Sequence, residues 1–168
     1  MTMEDIKKIM VALGFSDYAK GTFSYAAGLA KRLDADILVV SIINDRDVKA
    51  VQTISAMGYD VDGEHYIEAI RQERKVLLAR FEKETGCPPE RVKAVFRMGN
   101  PIDELLKVSL EESVDMIVMG VKGRTDLESV FVGSVAEKMF RRSPVTIVSY
   151  RDPESAAKLK RRIHLKRG

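Results

Sequence analysis

Apolar residues along this chain follow two alternating rhythms: short unbroken runs, and longer stretches in which one face repeats every three or four positions. The first run, Ile9-Met10-Val11-Ala12-Leu13, ends at Gly14 and reads as a strand buried on both faces. Ser16 has the chemistry of an N-cap, and Phe23, Ala26, Ala27, Ala30 and Leu33 then recur at helical spacing, which predicts a helix over 17–33. A second run, Ile37 to Ile43, completes a β-α-β unit and implies a parallel sheet. Residues 44–63 mix charges with Gly58 and Gly63 and give no clear period, although Val48, Val51 and Ile54 would line one side of a short helix. From Glu64 a long helix returns with Ile67, Ile70, Arg74, Leu77, Leu78 and Phe81 on one face, and it stops near Gly86-Cys87-Pro88-Pro89. Val92 to Phe96 is a third strand. Gly99-Asn100-Pro101 then opens a helix with the stripe Ile102, Leu105, Leu106, Ser109 and Leu110. Met116 to Met119 is a fourth strand, Val132, Val135, Ala136, Met139 and Phe140 mark a helix, and Val145 to Tyr150 a fifth strand.

This alternation, wound with right-handed crossovers, predicts an α/β fold with a doubly wound sheet and helices on both faces. Ligands in such sheets bind beyond the carboxyl ends of the strands, where the winding direction reverses. The length, 168 residues with 45% hydrophobic content, suits one domain over 1–150. The apolar runs are too short to cross a bilayer and MTMEDIKK lacks an apolar signal core, so the expected location is the cytoplasm.

Composition narrows the chemistry. Cys87 is the sole cysteine, which excludes an intrachain disulfide, and His65 and His164 lie too far apart in sequence to suggest a histidine metal site or a Ser/His/Asp constellation. The net charge of +3 is unevenly placed: residues 151–168 carry seven basic against two acidic side chains, leaving the body mildly acidic. That extension has no interleaved aromatic to stack on bases, so a solvated or partner-packing role is preferred over nucleic acid or lipid.

The most informative segment follows the fourth strand: Gly120-Val121-Lys122-Gly123, nine residues, then Gly133-Ser134 opening a helix. Glycines let backbone approach phosphate oxygens, the helix's free N–H groups favour an anion, and the Ser134 hydroxyl adds a donor. Glycine makes up roughly 7% of average sequences, so the triple alone is only moderately specific; its place between a buried strand and a helix strengthens it. It is neither a Walker loop nor the GxGxxG of dinucleotide folds.

With Gly120, Gly123, Gly133 and Ser134 in a G-x2-G-x9-G-S pattern, the chain resembles the ATP-binding subgroup of the universal stress protein (UspA-like) family. Val114 to Gly120, Gly133 to Lys138 and Ser143-Pro144-Val145 carry the same resemblance, which spans roughly residues 6–150. It implies a five-stranded parallel sheet in the order 3-2-1-4-5, Rossmann-like and similar to the adenine nucleotide alpha hydrolases. It further implies phosphates on Gly120, Gly123, Gly133, Ser134 and Val135, ribose beside Met119, and adenine flanked by Ala12 and Ile42. ATP or another adenine nucleotide, with Mg²⁺ as a candidate companion, is the implied cofactor. The resemblance also implies a homodimer through the edge strand Val145 to Tyr150, since an uncovered edge invites pairing. One position departs: ATP-binding members usually carry Asp where this chain has Gly14. Losing a hydrogen bond to a charged group costs about 1.5–3 kcal/mol, roughly tenfold to more than a hundredfold in affinity. Ser16 or Asp17 could substitute, although service at the helix start is the preferred reading of both.

Lys122 and Arg124 are secondary candidates for neutralising phosphate, and Arg97 and Asn100 lie at the same end of the sheet. Three functions fit these residues: a nucleotide-binding stress-response module, a nucleotide-independent interaction module, and a slow ATPase. Efficient catalysis is disfavoured, because Asp126 and Glu128 are the only loop carboxylates there to hold Mg²⁺ and the SGGxDS-type loop of adenylating relatives is absent.

Overall fold

The computed structural model describes residues 6–58, 62–121 and 133–163. Its strands are β1 (Lys8–Ala12), β2 (Asp36–Asn44), β3 (Val92–Gly99), β4 (Met116–Gly120) and β5 (Thr146–Tyr150). All pair in parallel, in the order β3-β2-β1-β4-β5. The helices are α1 (Ala19–Leu33), α2 (Asp45–Ala56), α3 (Gly63–Thr85), α4 (Pro101–Glu111), α5 (Ser134–Arg142) and α6 (Pro153–Arg162).

The unbroken apolar runs are explained by a core on each side of the sheet. Because successive side chains of a strand point to opposite faces, Ile9 and Val11 join Ile37, Val39 and Val118 beneath Phe23 and Ala26 of α1 and Leu78 and Phe81 of α3. Met10, Leu38, Val40, Ile117 and Met119 face the other way, under Leu105 and Val108 of α4 and Ala136 and Met139 of α5. Phe23, Ile9, Met10, Ile117 and Met139 are fully buried.

Several elements differ from the sequence reading. Ser16 is not the cap of α1: Tyr18 holds that position with no side-chain cap bond, and the Ser16 carbonyl accepts from the Ala19 N–H at 2.9 Å. The cause lies one residue earlier, where Phe15 takes a left-handed φ of 51° and stacks on Phe81, so the chain needs an extra turn before the helix starts. Strand β3 runs on to Gly99 because the nine-residue β2 pairs with it through Asn44↔Gly99. In α4, Leu110 is exposed and Val108 takes the buried position; Phe140 of α5 is likewise exposed in part, while Val132 lies outside the described residues.

The stretch 44–63, which has no readable period, contains α2. Its N-cap is Asn44, whose side chain accepts from the Arg46 N–H at 3.0 Å, and its buried residue is Val48. The basic extension also contains a helix: the Asp152 carboxylate accepts from the Ser155 N–H at 2.8 Å and Pro153 stands in the first turn of α6. No helix among the described residues is long and apolar enough to cross a membrane.

Candidate functional site

The sheet order reverses direction between β1 and β4, and at that seam the strand ends splay around a cleft of about 650 Å³. Its floor is made by Ala12 at the end of β1 with Leu13 and Gly14 after it, Ile42 and Asn44 of β2, and Met119 and Gly120 of β4. The first turn of α5 supplies Gly133, Ser134, Val135 and Ala136. Seven of the eight sequence-selected positions (Ala12, Ile42, Met119, Gly120, Gly133, Ser134 and Val135) therefore line one cavity; Gly123 lies outside the described residues. Lys122, Arg124, Asp126, Glu128 and His164 also fall outside them.

The helix termini around the cleft are not equivalent. On α4, the Asn100 side chain accepts from the N–H groups of Ile102 at 3.0 Å and Asp103 at 3.3 Å, so its orphan donors are already engaged. On α2, Asn44 does the same for Arg46. The N-cap of α5 is Gly133, which offers no side-chain cap; its own N–H donates to the Val121 carbonyl at 2.8 Å and so ties the helix start to the end of β4. The first turn of α5 thus carries the positive end of a helix dipole with no capping side chain among the described residues, beside an exposed Ser134 hydroxyl. An anionic group entering the cleft would complete that terminus.

A further wall comes from residues with no site signal in the sequence. Helix α2 contributes Asp47, Ala50, Val51 and Ile54, and α3 contributes Tyr66 and Arg74. Arg74 is buried at 4% exposure and donates through Nη1 to Ser41 Oγ at 2.7 Å and to the Ile42 carbonyl at 3.3 Å. Its guanidinium carbon lies 5.8 Å from the centre of the Phe15 ring. One side chain thereby braces the end of β2 and the turn after β1, two of the three segments that form the cleft floor. The available hint was a cation set among Ile67, Ile70, Leu77 and Phe81 in an otherwise apolar stripe.

Other polar candidates are placed elsewhere. Arg97 pairs with Glu111 at 2.8 Å, and Asn100 serves as the cap of α4. Neither Ser16 nor Asp17 lines the cleft. The half-buried Cys87 thiol is pushed above its ordinary pKa, chiefly by burial and secondarily by the Glu82 carboxylate, which keeps it a poor nucleophile. Among the described residues no three His, Cys, Asp or Glu side chains converge as metal ligands.

Comparison with known proteins agrees with this architecture. Residues 5–151 match the model of the universal stress protein family. The chain is similar to universal stress protein MJ0577 of Methanocaldococcus jannaschii, with 26% identity over 152 residues that cover 84% of this chain and 94% of that one. The solved structure of MJ0577 superposes with a TM-score of 0.67 at 24% identity, covering 87% of this chain and 97% of that one. UspA from Lactobacillus plantarum gives 0.64 at 23% identity, covering 86% and 97%. A universal stress protein solved in complex with cAMP gives 0.60 at 19% identity, covering 87% and 97%.

Proposed function

Because this chain belongs to the universal stress protein family, we propose that it is an adenine-nucleotide-binding module of stress-response regulation, working in the cytoplasm as a homodimer. In this reading residues 1–150 form the binding domain and 151–168 an extension. The observation that carries it is the N-terminus of α5, which opens on the cleft without a capping side chain among the described residues. Phosphates sit against Gly120, Gly133, Ser134 and Val135, where glycine at two positions leaves room for backbone donors to approach oxygen. Ribose lies beside Met119, and the base lies between Ala12 and Ile42 on the apolar floor. The cleft volume, about 650 Å³, falls within the range of about 300–1,000 Å³ common to small-molecule sites. The structurally similar universal stress protein in complex with cAMP supports an adenine ligand in this fold.

ATP is the first ligand to test, with Gly123 completing the phosphate loop and Mg²⁺ a companion to the phosphates. The bound group would supply anionic charge and a flat aromatic base; the protein supplies oriented N–H donors, a hydroxyl and an apolar seat. Mass spectrometry of the denatured protein should release an adenine nucleotide, and calorimetric titration should show ATP binding that Gly133→Val weakens at least tenfold by filling the phosphate position. No released nucleotide and no heat up to millimolar ATP would overturn the reading. A nucleotide-independent interaction module is then the better account, and it draws on one observation: Gly14 lines the cleft with no side chain to offer a ligand.

A further inference from the structure

Within the cleft, the polar side chains on the α2 and α3 wall fall into two groups. Asn44 is engaged as the cap of α2, and Arg74 is bonded to Ser41 and the Ile42 carbonyl. The side chains of Tyr66 and Asp47 are different: among the described residues neither forms a hydrogen bond or ion pair. Asp47, the charged one of the two, lines the cleft from the first turn of α2, whereas its neighbour Asp45 pairs with Lys49 at 3.5 Å. A carboxylate is acceptor-only when ionised, with two oxygens that suit a pair of neighbouring hydroxyl donors. The same helix face then presents Ala50, Val51 and Ile54 to the cavity, and Ile54 remains 45% exposed. A free double acceptor beside an unsatisfied apolar row is the complement of a sugar diol attached to a flat base.

We propose that Asp47 is the specificity residue of this cleft, accepting hydrogen bonds from the ribose hydroxyls of the nucleotide while the apolar row of α2 covers one face of the base. The assignment rests on the nucleotide-binding reading above and deepens it. It also accounts for the exposure of α2, because a helix that buries little beyond Val48 has its surface available as a ligand wall. Placing Asp47 in the first helical turn is favourable for the helix dipole in any case. The test must therefore separate a ligand contact from a helix effect.

Wild type and Asp47→Ala are titrated in parallel with ATP, 2′,3′-dideoxy-ATP and inorganic tripolyphosphate, with thermal melts to register folding. The inference predicts that wild type prefers ATP over the dideoxy analogue, and that Asp47→Ala weakens ATP at least tenfold and abolishes that preference. Tripolyphosphate affinity should be unchanged or slightly tighter, since removing a negative charge favours an anion. Equal affinity of wild type for ATP and its dideoxy analogue, an unchanged ATP affinity in the variant, or a parallel loss for all three ligands would each overturn the assignment while leaving nucleotide binding intact. Failure of wild type to bind either ATP or tripolyphosphate would instead remove the reading on which it rests.

Discussion

Arg74 occupies a position where the helical pattern calls for an apolar side chain, and its surroundings explain the exchange. The Ser41 hydroxyl points into the core from the middle of β2 with 0% exposure, and the Arg74 guanidinium donates to it at 2.7 Å. A buried hydroxyl left without a partner costs about 1–3 kcal/mol. Arg74→Met should accordingly lower stability to urea by about that amount. The double variant Arg74→Met, Ser41→Ala should recover part of the loss, because the orphaned group is removed with its partner. Additive losses in the two variants would show that the bond contributes nothing measurable. The sequence displays Arg74 only as an interruption of a stripe, and the identity of its acceptors follows from the β2–α3 packing that the local pattern does not encode.

At the level of elements, legibility follows burial. Strands β1, β2 and β4 are readable because helices cover both faces, which forces continuous apolar runs such as Ile37 to Val40. Helix α4 is readable from its cap, since Asn100 followed by Pro101 marks a start whatever lies beyond. That cap makes two bonds, so Asn100→Ala should destabilise the fold by about 1 kcal/mol, seen as a lowered midpoint in chemical denaturation with an unchanged slope. Helix α2 is obscure for the opposite reason: Val48 is its buried residue, and its remaining apolar positions turn toward a cavity instead of a core. The charge of the extension conceals α6 in the same way, although Asp152-Pro153 carries the same start signal as Asn100-Pro101. The start of α1 is displaced by the stacking of Phe15 on Phe81, a contact between residues far apart in sequence.

In the whole molecule, the sheet ends at β5, whose outer edge is free of a sixth strand among the described residues. Tyr150 at its end packs beside Tyr25 of α1 with ring centres 5.5 Å apart, and Gly21 leaves room for the Tyr150 hydroxyl, which a methyl group there would meet at 2.7 Å. The edge is thus held firmly from within, and pairing of Val145 to Tyr150 with a second copy should give a dimeric mass in light scattering. A monomeric mass at all concentrations would refute that arrangement. Much of the cleft was legible at this scale as well, because the glycine loop and the strand ends identify positions that the fold then gathers. The α2 and α3 wall was not, since its residues gain meaning only through their distance from strands dozens of positions away.

The cleft draws its lining from Ala12 near one end of the chain and Ser134 near the other, across the junction of β1 with β4. That junction joins the two halves of the double winding, so a molecule lodged there would touch both halves across a seam that the β1–β4 ladder already closes. A ligand bound only by the folded state would accordingly raise the stability of the domain as a whole.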